Sequence, residues 1–109
     1  MNTGIRYNSG DVVITTFPFV DSSKVKKRPA LVLFEDENNV VAAGITSNLN
    51  HRGILLTEKD GMIKDSVIKL NYIFTLKKIF LEKKIAKLNV KKKRTVYDGL
   101  NKKLKGFLI

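Results

Sequence analysis

The chain has 109 residues, 43% of them hydrophobic and none of them cysteine, and a formal net charge of +11. This composition fits one folded domain with a modest core, and it excludes a disordered basic tail, a disulfide framework and a thiolate metal site. Residues 1–6 lack the apolar core of a signal peptide, and no apolar run could span a bilayer, so we expect a cytoplasmic protein without a membrane partner.

The first half of the chain predicts three β-strands. Residues 11–17 are rich in β-branched side chains, and Pro18 ends this strand because it has no backbone donor. A polar loop follows over residues 19–27. Two apolar runs, residues 29–34 and 40–46, flank an acidic turn and predict an antiparallel hairpin. Gly44 inside the third strand indicates a bulge or a close backbone approach.

The second half predicts three more short strands, at residues 53–57, 66–70 and 84–88, and a helical turn at 76–80 capped by Thr75. Asn89 is typical of an N-cap and begins a predicted terminal helix. In that helix an apolar stripe recurs with helical spacing; its members are Val96, Leu100 and Leu104, with Tyr97 and Phe107 beside them. The prediction is a single domain over residues 1–109. It consists of a mainly β, strongly bent sheet or barrel over about residues 10–88, with a C-terminal α-helix over about 90–105.

The positive charge is concentrated at the C-terminal end. Residues 1–76 carry a net charge of +1, whereas residues 77–109 carry 12 basic and 2 acidic side chains, a net of +10. Such asymmetry favours a polyanionic partner, which leaves RNA, DNA, an acidic membrane surface and an acidic protein open. A solvated lysine-rich face without a partner explains the same charge equally well.

Two predicted strand ends carry groups that bind phosphate. Arg28 precedes Pro29 at the start of the second strand, and Thr46 and Ser47 end the third. A guanidinium and two hydroxyls can form a phosphate site if the two strands are neighbours. Nucleic-acid chemistry is therefore the first functional hypothesis.

Several motifs together resemble the MazF/PemK-like toxin family. In order they are Gly-Asp-Val-Val at 10–13, Phe-Pro-Phe at 17–19, Lys-Arg-Pro-Ala-Leu-Val-Leu at 27–33, Ala-Gly-Ile-Thr-Ser-Asn at 43–48 and Asp-Ser-Val-Ile-Lys-Leu at 65–70. Residues 75–88 match the family more loosely, so the resemblance covers most of residues 10–88.

The resemblance implies an SH3-like barrel with an added C-terminal helix, a homodimer, and the toxin of a toxin–antitoxin pair. It further implies cleavage of single-stranded RNA at short sequences without a metal or other cofactor, and an acidic antitoxin that occupies the RNA groove. The catalytic arginine and threonine of the family's motifs fall on Arg28 and Thr46.

Cleavage without a metal can use the 2′-hydroxyl of the RNA as the nucleophile, with Arg28 stabilising the phosphoryl oxygens and Thr46 positioning the phosphate. Further RNA contacts are predicted for the basic loop, the turn after the third strand and one aromatic side chain: Lys24, Lys26, Lys27, Ser47, Asn48, His51 and Phe19.

The group that transfers protons is not identified by the sequence. Family members often carry an acidic residue and an arginine where this chain has Asn71 and Phe74. His51 is the one histidine and is a candidate proton shuttle or RNA contact, or a plain loop residue. A non-catalytic nucleic-acid-binding module on the same fold therefore stays open, as does a peptide-binding domain.

Overall fold

The fold of the protein, seen in a computed structural model that describes residues 6–18 and 25–109, is one antiparallel sheet with a C-terminal helix. The strands are β1 (Asp11–Pro18), β2 (Val25–Asp36), β3 (Asn39–Thr46), β4 (Ile54–Leu56), β5 (Ser66–Lys77) and β6 (Leu81–Lys87). Helix α1 (Val90–Leu104) follows, and short 3-10 helices lie at Glu58–Asp60, Lys78–Phe80 and Lys105–Leu108.

The strands are ordered β4-β5-β3-β2-β1-β6. The predicted hairpin of β2 and β3 is confirmed, with Ala30 opposite Gly44. Within the described residues β4 and β6 each pair with one neighbour, so the sheet is open and does not close into a barrel. The predicted class, mainly β with a C-terminal helix, is confirmed.

Alternation along the strands buries both faces of the bent sheet. Val12, Leu31 and Ile68 belong to one core cluster, which Val96 of α1 joins. On β1 and β2 the adjacent residues Val13 and Ala30 belong to a second cluster on the opposite face. Side chains alternate between the two faces of a sheet along each strand. The cluster to which a residue belongs therefore shows on which face of the sheet the next residues of its strand lie.

Helix α1 begins as predicted, because the Asn89 side chain accepts a hydrogen bond of 2.8 Å from the backbone N–H of Lys92. Gly99 lets the helix approach β5: a Cβ there would lie 2.7 Å from Leu70 Cδ1. The predicted apolar stripe is only half right. Val96 is buried, but the last turn of α1 and the 3-10 helix after it lie outside the core; Tyr97, Leu104 and Phe107 are exposed.

Several predicted boundaries were wrong. Residues 25–27 belong to β2 and not to a loop, because they pair with β1 up to the Val25–Pro18 pair. The turn between β2 and β3 is shorter than predicted and consists of Glu37 and Asn38. Thr75 caps no helix; it pairs with Val41 inside β5, which continues to Lys77 because β3 supplies hydrogen-bonding partners along its length. Strand β6 begins at Leu81, three residues earlier than predicted.

Across residues 6–18 and 25–109, no helix combines the length and the apolar character needed to cross a membrane.

Candidate active site

The two predicted catalytic residues lie on neighbouring strands. Arg28 pairs with Thr15 of β1, whose hydroxyl donates a 2.9 Å hydrogen bond to the Arg28 carbonyl. On its other side, β2 pairs with β3 from Ala30–Gly44 onward. Continuing this antiparallel register by two residues sets Arg28 opposite Thr46. By strand alternation both side chains project from the same face of the sheet as Ala30.

Arg28 and Thr46 border two clefts at this end of the sheet. The large cleft has a volume of about 630 Å³ and also takes in Lys26, Lys27, Ser47 and the loop residues Met62, Ile63 and Lys64. The small cleft, of about 160 Å³, lies on the Arg28 face of the sheet; besides Arg28 and Thr46 it is lined by Thr15, Pro29, Gly44, Ile45, His51, Lys69, Tyr72 and Phe74. The pair therefore sits where an extended ligand could occupy both clefts.

The clefts are basic. Arg28 and lysines line both of them, and none of the described residues that line either cleft is an aspartate or glutamate. One of the lining lysines has an acidic partner on β6: the Lys27 ammonium lies 2.9 Å from a carboxylate oxygen of Glu82. Because the Lys27 side chain is 66% exposed, this pair holds it weakly. The field at this edge thus favours an anionic ligand.

The turn after β3 is ordered by its own side chains. The Thr46 hydroxyl oxygen accepts a hydrogen bond of 3.1 Å from the Asn48 backbone N–H, and Asn48 Oδ1 accepts one of 3.0 Å from the Asn50 N–H. The backbone N–H of His51 in turn donates to the Asn48 carbonyl. Since Thr46 uses an oxygen lone pair here, its O–H can still donate to a ligand.

The structure distributes the predicted RNA contacts unevenly. Lys26, Lys27 and Ser47 line the large cleft, and Ser47 does so from the bend that follows β3. His51 lines the small cleft. Asn48 is exposed but lines neither cleft. Phe19 and Lys24 lie outside the described residues.

The two positions that depart from the family pattern differ in their surroundings. Phe74 lines the small cleft beside Arg28 and Thr46. Asn71 is exposed and lines neither cleft. Within the described residues no group of three or more His, Asp or Glu side chains is placed to hold a metal ion.

The lining residues that the sequence analysis missed include two cations and an aromatic ring, Lys64, Lys69 and Tyr72. Lys64 belongs to the loop before β5, which carried no motif. Lys69 lay within the predicted fifth strand, where its alternation with buried Ile68 and Leu70 gave a usable signal. Tyr72 lay beyond the predicted end of that strand; the Tyr-Ile-Phe-Thr run at 72–75 favours a longer strand, which was the available signal.

A second polar cluster lies at the other end of β2. A backbone hydrogen bond from Tyr7 and the Lys78 ammonium, 3.0 Å from Oε1, hold the pKa of Glu35 below its usual value. Burial and the nearby Glu35 raise the pKa of Tyr7. Neither group lines the clefts, and the hydrogen bond between them ties the N-terminal segment to β2.

Together, fold and site define a small antiparallel β protein with a basic cleft for an anionic ligand at one end of its sheet. The chain belongs to the family of PemK-like, MazF-like toxins of type II toxin–antitoxin systems, whose model matches residues 8–104. The resemblance seen in the sequence is thereby confirmed. No curated protein matches the chain.

Solved structures share the fold. A MazE-MazF structure from Deinococcus radiodurans superposes with a TM-score of 0.76 at 20% identity, over 93% of this chain and 97% of that one. The Mycobacterium tuberculosis toxin MazF-mt6 gives 0.68 at 21% identity, over 84% and 93%. An endoribonuclease in complex with its cognate antitoxin, from a mycobacterial species, gives 0.68 at 15% identity, over 91% and 93%. At these identities the likeness establishes the fold alone.

Proposed function

We propose that this toxin is an endoribonuclease that cleaves single-stranded RNA at short specific sequences without a metal. The observation that carries the proposal is the placement of Arg28 and Thr46 on neighbouring strands at the junction of two basic clefts. A solved structure with the same fold is named an endoribonuclease, which supports the same reaction class.

In the proposed reaction the 2′-oxygen of one nucleotide attacks the adjacent phosphorus and the bond from phosphorus to the 5′-oxygen breaks. The products are a 2′,3′-cyclic phosphate and a 5′-hydroxyl. Arg28 makes paired hydrogen bonds to the phosphoryl oxygens, where negative charge builds up in the transition state. The Thr46 hydroxyl donates to the same phosphate and fixes its position.

Two protons must move in this reaction, one from the 2′-hydroxyl and one to the 5′-oxygen. We assign a share of this transfer to His51, because it is the one imidazole in the sequence and it lines the small cleft with Arg28 and Thr46. Imidazole accepts and donates protons near neutral pH. None of the described lining residues is an aspartate or glutamate, so His51 is the lining side chain best suited to proton transfer.

The large cleft is the proposed path of the RNA backbone. Its cationic side chains Lys26, Lys27 and Lys64 stand on two sides of a surface that also carries Ser47. Lysines at such positions bind phosphates irrespective of the base sequence.

We further propose an acidic antitoxin, a homodimer and a cytoplasmic location. An acidic protein segment complements the same basic clefts, and one solved structure of this fold is a complex with its cognate antitoxin. The exposed apolar side chains at the end of α1 and in the 3-10 helix after it, Leu104 and Phe107 among them, offer a surface for a second subunit. Light scattering of the purified protein checks the dimer, which a monomer mass would exclude.

The test is incubation of single-stranded RNA with the purified protein in EDTA, followed by analysis of the product ends. Wild type is expected to produce 2′,3′-cyclic phosphate ends, and Arg28→Ala to lose cleavage while its circular dichroism is unchanged. Arg94→Ala is the control, since Arg94 is exposed on α1 and pairs with Asp98 away from the clefts. Full activity of Arg28→Ala, or inhibition by EDTA, contradicts the mechanism. Salt-sensitive binding without cleavage would instead identify a non-catalytic nucleic-acid-binding module.

A further inference from the structure

Tyr72 stands beside the proposed catalytic pair because β5 carries a large irregularity. Opposite β3, Ala43 pairs with Ile73 but Gly44 pairs with Lys69, so three residues of β5 between these pairs have no partner on β3. Bulges of this kind redirect a side chain, and they are common beside functional sites. Here the bulge turns the ring of Tyr72 toward the small cleft.

The Tyr72 ring packs directly against Gly44. A Cβ built on Gly44 would lie 2.6 Å from Tyr72 Cδ2 and 3.2 Å from Cε2, so any side chain at position 44 would displace the ring. The Tyr72 and Phe74 rings pack with centroids 5.3 Å apart at an angle of 44°. The Lys69 ammonium lies 5.5 Å from the Tyr72 ring centre. Tyr72 is thus held in place on several sides.

Despite these contacts, Tyr72 is 47% exposed. Packing into the core therefore does not explain its position. A fixed, half-exposed aromatic ring beside a basic cleft matches the platforms on which proteins stack single-stranded bases. The small cleft, of about 160 Å³, is of the order of one nucleobase in size.

We infer that the small cleft is a base-stacking subsite, in which Tyr72 stacks on the base of a nucleotide adjacent to the phosphate held by Arg28 and Thr46. This inference rests on the proposed cleavage of RNA and adds a specific contact to it. Lys69 lines the same cleft and adds a positive charge beside the proposed subsite.

Binding of a fluorescent base analogue tests the inference. Sequencing the products of a randomised single-stranded RNA pool gives the cut site. 2′-O-methyl oligonucleotides of that sequence, which cannot be cleaved, then carry one 2-aminopurine at successive positions. With wild type, fluorescence is expected to be quenched by stacking at one position beside the cut. Tyr72→Ala is expected to abolish this quenching and to raise Kd about tenfold, while Tyr72→Phe keeps the quenching and the wild-type Kd.

Tyr97→Ala is the matched control. Tyr97 is 58% exposed and has a cation, Arg94, 5.8 Å from its ring centre, but it lies on α1 away from both catalytic residues. Its loss is expected to leave quenching and Kd unchanged. If wild type cuts RNA but Tyr72→Ala still quenches the 2-aminopurine fluorescence, the inference is wrong and the proposed function stands. Wild type that neither cuts nor binds single-stranded RNA overturns both.

Discussion

Replacing Gly53 by alanine is expected to destabilise the protein, since the chain before β4 approaches β5 too closely for a side chain. A Cβ at position 53 would lie 2.0 Å from the carbonyl oxygen of Ile68 and 2.5 Å from Val67 Cγ1. The carbonyl cannot yield easily, because Ile68 is fully buried and pairs with Ile45 on one side and Ile54 on the other. Strand β4 must therefore move.

The size of the effect follows from what β4 contributes. The strand has three paired residues, and Leu56 among them is fully buried. Overpacking typically costs about 1–3 kcal/mol, and exposing one leucine costs about 1.5–3 kcal/mol. Alanine also restricts the unfolded chain, which returns about 0.4–1 kcal/mol. Together these terms give an expected net loss of about 1.5–5.5 kcal/mol, a large share of the ~5–15 kcal/mol that stabilises a domain of this size.

Urea unfolding followed by circular dichroism measures this loss as a shift in midpoint. The control is Gly106→Ala, since no heavy atom lies within 4 Å of a Cβ built there, and it is expected to stay within about 0.5 kcal/mol of wild type. A Gly53→Ala variant as stable as Gly106→Ala would refute the close approach of this segment to β5.

Two further predictions concern titration and catalysis. The pKa of Glu35 is lowered in the folded protein by the Tyr7 N–H and then by Lys78, so its stabilisation is present above the usual value of 4.5 and is lost as pH falls through the folded pKa. In urea unfolding, wild type should be more stable than Glu35→Gln at pH 7, and the difference should shrink as pH falls below 4.5; a difference that stays constant with pH would contradict this. Separately, His51→Ala is expected to lower the cleavage rate at saturating RNA by about 100-fold or more with little change in Kd. Single-turnover kinetics measure the rate. If RNA binding weakens by the same factor as the rate, His51 acts as an RNA contact and not in proton transfer.

The sequence predicted the elements that local chemistry determines. Runs of β-branched residues located most strands, and the side chain of Asn89 located the helix start. Arg28 and Thr46 were placed together because a short acidic turn makes β2 and β3 neighbours, and neighbouring strands bring their ends into register. These features depend on residues close to one another in the chain.

What the sequence could not predict depends on partners far along the chain. Strand β5 runs to Lys77, where β3 supplies its hydrogen-bonding partners. Residues 72–75, Tyr-Ile-Phe-Thr, favour a strand locally, but only the pairing with β3 shows that they continue β5 and do not form a separate element. The exposure of Leu104 has the same origin, because the periodicity of a helix shows which residues share a face but not where the sheet beneath it ends. The position of the Tyr72 ring in the small cleft was missed because it depends on a bulge in β5, and the bulge depends on how β5 pairs with β3.

Two glycines link stability to the geometry of the site. Gly44 and Gly53 bracket the segment that carries Thr46 and His51, and each permits a close contact with β5, Gly44 with the Tyr72 ring and Gly53 with the Ile68 carbonyl. The turn between them is thus held against β5 at both ends, while hydrogen bonds to Thr46 and Asn48 order its middle. A side chain at either glycine would move one end of the turn relative to Arg28 on β2. The residues that set the distance between the guanidinium and the proposed proton-transfer group therefore include two that carry no functional group at all.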